Sequence, residues 1–348
     1  MGGPAVAVIG AGAWGTTLAR LVARVEPVTL LCHSPETAAR IAETGRNEAR
    51  LPGVDLPPAV IATADPAALR DATDLVLFAA PSAHLRGTVE ACAPFLAPTA
   101  DRLSVVKGLE QGTLLRMSEV VAEASGVAPS RVAALSGPNL AAEVARNLPT
   151  SAVVASSDLA LAGRVAARLG RRRFRLYVNE DILGVELAGA LKNVVAIAAG
   201  AADGLGFGDN GKAGLLTRGL AEMMRLGMAA GANPLTFAGL AGMGDLIATC
   251  GSSLSRNHRL GEELARGRTW AEIEATMPGT AEGAYTVRAA LALAARLGVE
   301  LPIARQVELA LFEGKSVQRC LVDLLARESK DELADASAWL AGLGRDGP

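Results

Sequence analysis

A single lysine lies in the middle of an almost entirely apolar stretch of this sequence. Between residues 182 and 202 the polar side chains are Glu186, Lys192 and Asn193, and the others are alanine, glycine, valine, leucine and isoleucine. This pattern predicts a helix that is apolar on every face and therefore buried. Burial lowers the pKa of a lysine that has no carboxylate partner. Lys192 is thus a candidate proton acceptor beside a cavity, and a structural lysine paired with a carboxylate is the alternative.

A glycine-rich turn near the N-terminus suggests the reaction in which such a lysine would take part. Residues 5–10 (AVAVIG) predict a buried strand, and a helical pattern and a second strand at 28–32 follow. In this setting Gly10, Gly12 and Gly15 form a dinucleotide-binding GxGxxG motif. They permit the tight turn, the close approach of the pyrophosphate and the packing of helix on strand, respectively. The diphosphate would lie at the helix N-terminus.

The end of the second strand bears on which cofactor is used. NAD-specific sites usually place an acidic residue here to bind the ribose 2′-hydroxyl. This chain has His33, and its first acidic residue is Glu36. NADP is therefore favoured over NAD, with His33, Arg40 or Arg46 as partners for a 2′-phosphate. A surface imidazole without a ligand is the alternative for His33.

Further strands alternate with helices through the first half of the chain. Ligands of open α/β sheets bind beyond the carboxyl ends of the strands. Lys107 and the Gly137–Asn139 turn follow two of these strands and are site candidates. The predicted strands span residues 74–80, 103–106, 132–135, 151–155 and 174–178.

The second half is predicted to be helical, with glycine, asparagine and proline between the helices. We predict an α/β fold with a Rossmann-type dinucleotide-binding domain (1–181), a helical substrate domain (182–335) and a tail (336–348). A glycine-rich turn at 204–210 ends the first helix. The helices span residues 183–202, 212–230, 234–240, 260–267, 270–276, 286–297, 303–312 and 316–327.

Two loops of this half concentrate polar groups. Asp245 is the only charge in LAGMGDLIATC, so it is a helix N-cap, a site group or both. Ser255, Arg256 and Asn257 place hydroxyl, guanidinium and amide groups side by side, which suits a phosphate or polyol. An N-capped surface helix with ordinary arginines is the alternative.

Composition excludes several classes of function. The 348 residues carry 34 basic and 36 acidic side chains, which argues against nucleic-acid or membrane-surface binding. The basic run at 171–175 is expected to be a solvated edge. Four isolated cysteines and three histidines form no predicted metal site and suggest reduced thiols in the cytoplasm. No signal peptide is expected, and the stretch around Lys192 is a poor membrane span.

These residue types together suggest an alcohol dehydrogenase. A bound nicotinamide exchanges hydride with carbon, and oxidation of an alcohol also needs a group that takes the hydroxyl proton. Lys192 suits that role, Asp245 would hold the lysine or a substrate hydroxyl, and Arg256 would bind an anionic end of the substrate. No histidine is well placed for this chemistry.

The motifs resemble, in order, those of the bacterial NAD(P)-dependent glycerol-3-phosphate dehydrogenases. The resemblance extends over residues 5–330 and implies reversible conversion of sn-glycerol 3-phosphate and dihydroxyacetone phosphate. It also implies a supply of glycerol phosphate for phospholipids, a cytoplasmic location and often a homodimer. The motifs are GAGAWGTTLA, DLVLFAAPS, VVKGLE, SGPNLAAE, the segment around Lys192, GLAGMGDLIATC, SRN and AEG.

The resemblance also implies roles for individual residues. Lys192 is the implied proton acceptor, with Lys107 and Asp245 as further catalytic residues. The sequence departs from the family pattern at Ala13, Asn139, Leu140, Thr280 and Ala281. Glu186 and Asn193 remain without a role. Implied substrate contacts are Lys107, Gly137, Asn139, Lys192, Asp245, Ser255, Arg256 and Asn257. Implied cofactor contacts are Gly10, Gly12, Ala13, Trp14, Gly15, His33, Lys107, Ala141, Arg256 and Glu282.

Two other functions remain as alternatives. A dehydrogenase of the same architecture could act on a β-hydroxy acid or ketopantoate. A nucleotide sensor without catalysis would need only the glycine loop, so the presence of Lys192, Asp245 and Arg256 together argues against it.

Overall fold

A computed structural model describes residues 3–328 of the chain, and the predicted tail at 336–348 lies outside the described residues. The first part is built on one sheet of eight strands. The strands are β1 (Val6–Ile9), β2 (Val28–Leu31), β3 (Val60–Thr63), β4 (Leu75–Phe78), β5 (Asp101–Ser104), β6 (Val132–Ser136), β7 (Thr150–Ala155) and β8 (Phe174–Asn179).

The sheet has the order β3-β2-β1-β4-β5-β6-β7-β8. All neighbours are parallel except β6 and β7, which pair antiparallel. Strand order reverses between β1 and β4, the point at which doubly wound sheets bind nucleotides. The predicted α/β class is confirmed. Strand β3 was missed because it is a partly exposed edge strand without a continuous apolar run.

The opposite edge of the sheet carries the basic run. Arg172, Arg173 and Arg175 are exposed beside and on β8, which among the described strands pairs with β7 alone. Charged side chains on an edge strand disfavour pairing with another chain. The expectation of a solvated edge is confirmed.

Helices accompany the strands and then form the rest of the described chain. Those of the first part are α1 (Ala13–Val22), α2 (Pro35–Thr44), α3 (Leu85–Cys92), α4 (Met117–Ala124), α5 (Ala141–Ala145) and α6 (Leu159–Leu169). The second part contains α7 (Ile182–Gly204), α8 (Gly208–Ala229), α9 (Pro234–Ala238), α10 (Asp245–Gly251), α11 (Arg256–Ala265), α12 (Trp270–Thr276), α13 (Glu282–Leu297), α14 (Pro302–Phe312) and α15 (Val317–Leu325).

Helix α7 is the core of the helical part. It packs against α8, α10, α11 and α13, and Lys192 lies at its middle with 6% of its surface exposed. The helix is long and apolar enough to cross a membrane, but 83% of its most apolar window is buried inside the protein. It is therefore the central helix of a protein core, as its apolar pattern predicted.

Several predicted helix ends were wrong. The turn after α7 is shorter than predicted, because α8 already begins at Gly208. Helix α11 begins at Arg256, where the Ser255 hydroxyl accepts a hydrogen bond from the His258 backbone N–H (3.2 Å). Helix α13 begins at Glu282. Both starts were placed too late, because α11 begins with a polar turn (RNHR) and α13 begins with Glu282 and Gly283, so neither start shows the apolar periodicity used for the prediction.

Helices α7 and α11 cross in backbone contact. A methyl group on Gly200 of α7 would lie 1.9 Å from the His258 carbonyl oxygen. A methyl group on Gly261 of α11 would lie 2.0 Å from the Ile197 carbonyl oxygen. Glycine at these two positions therefore permits the crossing that holds the start of α11 beside α7.

We predict that Gly261→Ala lowers the free energy of unfolding by about 1–3 kcal/mol, because the added methyl forces the two backbones apart. Chemical denaturation measures the change. Gly163→Ala in α6 is the matched control: nothing lies within 4 Å of its added methyl, and alanine favours a helix by up to about 1 kcal/mol. Equal stability of both variants would contradict the close crossing.

Helix α8 carries a buried carboxylate, that of Glu222. Glu222 of α8 accepts hydrogen bonds from the backbone N–H groups of Ile303 and Ala304, each 2.9 Å long, at the start of α14. These bonds favour the carboxylate, but burial outweighs them and raises the pKa of Glu222 from 4.5 to about 7.

This pKa predicts the pH dependence of stability. Between about pH 4.5 and 7 the unfolded chain releases the Glu222 proton while the folded protein retains it. The free energy of unfolding should therefore fall as pH rises through this window, by up to about 3 kcal/mol. Denaturation at pH 5 and pH 7.5 should show a smaller difference for Glu222→Gln than for the native protein. The exposed Glu90→Gln variant in α3 should keep the native difference, and an unchanged difference in Glu222→Gln would refute the prediction.

Candidate active site

The GxGxxG turn has the geometry that its glycines predicted. Gly10 has φ +110°, and a methyl group on it would lie 2.9 Å from the Ala79 backbone. A methyl group on Gly15 would lie 1.9 Å from the Gly10 carbonyl oxygen. Nothing lies within 4 Å of a methyl group placed on Gly12. The first and third glycines are thus required by packing, whereas Gly12 faces open space that a diphosphate can enter.

Helix α1 starts at this space with free donors. Its N-cap Gly12 has no side chain to satisfy the first backbone N–H groups, which Ala13 and Trp14 contribute. The indole Nε1 of Trp14 is buried without a partner among the described residues. Ala141 lies nearby, because its carbonyl accepts from the Thr17 hydroxyl at 3.2 Å. These groups fit a dinucleotide, whose phosphates would accept from the helix start.

The residues predicted to select the cofactor follow β2 in the chain, on and beside α2. His33 is exposed two residues beyond the end of β2. Arg46 is bound to Asp55, with 2.6 Å between Nε and Oδ1, and lies 3.6 Å from Glu48. A 2′-phosphate would have to compete with these carboxylates for Arg46. Arg40 lines a surface cavity of about 440 Å³ next to Arg46.

Two lysines share one carboxylate in the interior. Asp245 Oδ2 lies 2.7 Å from Lys107 Nζ, and Asp245 Oδ1 lies 3.0 Å from Lys192 Nζ. Lys107 also donates to the Gly137 carbonyl (3.0 Å) and to Asn139 Oδ1 (2.8 Å). An ammonium group has three donors, so protein acceptors occupy all three donors of Lys107.

Lys192 differs from Lys107 in this respect. Besides Asp245, its partner is the Thr249 hydroxyl, 2.6 Å from Nζ. Among residues 3–328 these are its two partners, so one N–H of the ammonium group is left for a ligand. The alternative of a lysine paired with a carboxylate is thus met in part, because Lys192 is paired but keeps one donor.

Glycine residues allow the close packing of α7 and the turn after β6 beside the lysine cluster. A methyl group on Gly189, three residues before Lys192, would lie 2.5 Å from the Ser136 hydroxyl at the end of β6. Gly137 has φ +134°, and its methyl would lie 2.9 Å from Ala152 Cα. Gly189 thus lets α7 approach the end of β6, and Gly137 lets the turn after β6 pack on β7, so that Lys107 and Lys192 can meet the same carboxylate.

The shared carboxylate sets the charge of the cluster. Burial raises the pKa of Asp245, but the charges and hydrogen bonds of Lys107 and Lys192 outweigh burial and hold that pKa below its ordinary value. Burial lowers the pKa of Lys107 from 10.5 to about 8, although Asp245 opposes the shift. The Asp245 carboxylate therefore stays ionised between the two lysines, and the N–H that Lys192 keeps for a ligand suits an electron-rich substrate oxygen.

A further carboxylate, that of Glu282, connects the sheet to the helical part. The Glu282 carboxylate at the start of α13 accepts from the backbone N–H of Ser82 (3.2 Å) and from its hydroxyl. Ser82 follows β4 and also lies against Gly108, next to Lys107. Burial raises the pKa of Glu282. Glu282 thus joins the two parts of the chain beside the lysine cluster.

Ser255, Arg256 and Asn257 make different contacts. Ser255 caps α11, and the Arg256 side chain lies against Gly279, with 2.6 Å between Nη1 and a methyl placed on that glycine. Asn257 is buried, donates to Asn193 Oδ1 and accepts from the Gly283 backbone N–H, each at 2.9 Å. Asn193 and Asn257 therefore connect α7, α11 and α13, and Asn193 acquires the role that the sequence left open.

Some expectations need correction. Asp245 does not cap α10, because Gly244 holds the cap position and the carboxylate faces the lysines. Sequence reasoning also missed Thr249 and Ser82. Thr249 lies four residues after Asp245, which places both on one face of a helix, and Ser82 follows a strand end. The departures Thr280 and Ala281 lie just before α13, where Ala281 is buried.

Comparison with known proteins agrees with this architecture. The family model described as NAD-dependent glycerol-3-phosphate dehydrogenase N-terminus matches residues 5–162, and its C-terminal counterpart matches residues 181–322. The chain is similar to a glycerol-3-phosphate dehydrogenase (NAD(P)+) of Frankia casuarinae, with 46% identity over 94% of this chain and 97% of the relative. A Parafrankia relative of the same name is 49% identical over 94% and 98% of the two chains.

Solved structures agree as well. A crystal structure of glycerol-3-phosphate dehydrogenase from Coxiella burnetii superposes with a TM-score of 0.88 and 37% identity, covering 92% of this chain and 98% of that one. Both halves of the chain are thus matched in sequence and in fold. The chain belongs to the NAD-dependent glycerol-3-phosphate dehydrogenase family.

Proposed function

We propose that the protein is an NAD(P)-dependent dehydrogenase that interconverts sn-glycerol 3-phosphate and dihydroxyacetone phosphate. The observation that carries the proposal is the buried Lys107–Asp245–Lys192 cluster, in which Lys192 alone keeps a donor for a ligand. The names of the relatives supply the substrate. The local geometry supplies a reason why a hydroxyl or carbonyl oxygen would bind at Lys192.

The dinucleotide would be held by the start of α1. Gly10, Gly12 and Gly15 shape the turn, and Ala13 and Trp14 supply backbone donors to the diphosphate. When bound, the nicotinamide exchanges hydride with the substrate carbon. Further contacts are proposed for His33, Lys107, Ala141, Arg256 and Glu282.

Lys192 would move the proton that accompanies this hydride. In the direction of oxidation its neutral amine accepts the hydroxyl proton, and in the direction of reduction its ammonium polarises the carbonyl and returns the proton. Asp245 and Thr249 orient Nζ for both directions. Lys107 would contribute positive charge beside the same substrate oxygen.

The phosphate end of the substrate would lie at the start of α11. Ser255 and Arg256 offer a hydroxyl and a guanidinium group there, and the free N–H groups of the first turn favour an anion. Asn257 would support this site by holding the start of α11 in place through its hydrogen bonds to Asn193 and Gly283. Gly137 and Asn139 would border the substrate through the turn that also holds Lys107.

NADP is the favoured cofactor in this proposal, and NAD remains compatible with the site. No acidic residue directly follows β2 to bind a ribose 2′-hydroxyl, and the exposed His33 and Arg40 would be the partners of a 2′-phosphate. We further propose a cytoplasmic homodimer that supplies glycerol phosphate for phospholipid synthesis. The free, buried cysteines support a reducing compartment.

The function is tested by following NADPH oxidation at its absorbance band with dihydroxyacetone phosphate as substrate. We expect turnover with this substrate and weaker turnover with NADH than with NADPH. Turnover of ketopantoate or a β-keto acid instead would replace the substrate assignment. Binding of NADPH without turnover of any of them would indicate a nucleotide sensor.

Lys192→Ala should lower kcat by about 10³-fold or more, because the proton is then transferred without a positioned group. NADPH affinity, measured by quenching of protein fluorescence, should change little, since Lys192 lies outside the glycine turn. Lys315→Ala removes a lysine of the helical part that pairs with Asp323 and should keep native kcat. Near-native turnover in Lys192→Ala would show that this lysine is structural.

A further inference from the structure

The lysine cluster depends on two segments that are far apart in the chain. Lys107 belongs to the segment between β5 and α4, residues 105–116, and Lys192 belongs to α7. Their Nζ atoms lie 2.7 and 3.0 Å from the two oxygens of Asp245. Both distances hold only while the segment and α7 keep a fixed position relative to each other. A contact that fastens one to the other would therefore act on the site.

Glu186 makes such a contact. It lies on α7 six residues before Lys192, about 9 Å along the helix axis, and 6% of its surface is exposed. Its Oε1 accepts from the Ser118 backbone N–H at 2.8 Å. Its Oε2 accepts from the Ser118 hydroxyl at 2.5 Å and pairs with Arg116 Nη1 at 2.8 Å. Its acceptor positions are thus used at the start of α4, away from Lys192.

Arg116 carries the contact back toward Lys107. Its backbone pairs with Leu109 in an isolated antiparallel bridge, two residues from Lys107. Its Nη2 is held by Glu119 at 2.6 Å, so the guanidinium group is fixed from both sides. The backbone N–H of Glu110 donates to the Leu115 carbonyl at 2.9 Å and closes the same segment. Motion of Arg116 would therefore displace Lys107.

We propose that Glu186 is a positioning residue for the reaction, which through Arg116 sets the place of Lys107 relative to Lys192. The proposal rests on the proposed function, because its readout is that activity. Glu186 touches neither Lys107 nor Lys192 directly. It acts by holding the loop that carries one lysine against the helix that carries the other.

A buried ion pair of this kind can also serve stability alone, since removing one partner leaves an unpaired buried charge. A double-mutant cycle separates the two roles. A residue that acts only through Lys107 has no further effect on kcat once Lys107 is replaced, whereas a general effect on the fold has the same effect in both backgrounds.

The experiment compares Glu186→Gln in the native chain and in a Lys107→Met chain, with kcat measured for NADPH and dihydroxyacetone phosphate. We expect a loss of about 10- to 100-fold in the native chain, as for a displacement of about 1 Å in an active site. In the Lys107→Met chain we expect a change of less than about two-fold. The KM for NADPH should change less than kcat in Glu186→Gln, because the glycine turn is not attached to this contact and Lys107 is one of several proposed cofactor contacts.

Two further variants complete the design. Glu222→Gln removes a buried carboxylate that also accepts backbone N–H groups at a helix start, and it should keep native kcat. Arg116→Lys keeps the charge but cannot bridge Glu186 and Glu119, so it repeats the cycle if Glu186→Gln fails to fold. We expect a smaller loss of kcat that again disappears with Lys107→Met.

Three outcomes would overturn the proposal. These are an unchanged kcat in Glu186→Gln, the same fold loss in both backgrounds, and a loss in Glu222→Gln as large as that in Glu186→Gln. A native protein without turnover of dihydroxyacetone phosphate, or a Lys107→Met variant with native kcat, would instead refute the proposed function or the role of Lys107. The two failures are therefore distinguishable.

Discussion

The buried carboxylate of Asp245, bound by two lysines, is the interaction on which the rest of the site depends. Desolvation disfavours an isolated charge in a protein interior by several kcal/mol or more. The carboxylate is stable here because Lys107 and Lys192 each approach within 3.0 Å. Each lysine in turn needs that carboxylate. Three separate segments are thereby fixed by one set of charges.

Small residues make this arrangement possible. Gly189 and Gly200 let α7 approach the end of β6 and the start of α11 without a side chain between them. A larger residue at either position would move Lys192 or the start of α11. The position of Lys192 therefore depends on how closely the backbone of α7 packs against its neighbours. Its apolar surface serves the core, and its glycines serve the site.

The sheet and the helical part meet at polar contacts beside the cluster. Glu282 binds Ser82 across the gap, and Asn193 and Asn257 connect α7 to α11 and α13. Hydrogen bonds of buried groups are directional, so they fix orientation as well as distance. In the proposed enzyme the same contacts would hold the cofactor end and the phosphate end of the substrate at a constant spacing from Lys192.

The sequence alone determined the features that follow from local rules. The GxGxxG turn, the alternation of strands and helices, and the apolar helix with a single lysine are each encoded by residues close together in the chain. The same locality explains the errors: β3 lies at a sheet edge, α11 begins with a polar turn, and α13 begins with Glu282 and Gly283. The structural match to a relative confirms the fold class that these local patterns predicted.

Only the tertiary structure decided which side chains meet. Lys107 and Asp245 are 138 residues apart, and Lys192 and Thr249 are 57 apart. No spacing rule connects them, so the residues alone allowed Asp245 to be a helix cap, a site group or both, and they gave no role to Asn193, Glu186 or Thr249. The physical reason is that a side chain's neighbours across a core depend on how whole helices cross. At α7 that crossing is set by the absence of side chains on Gly189 and Gly200.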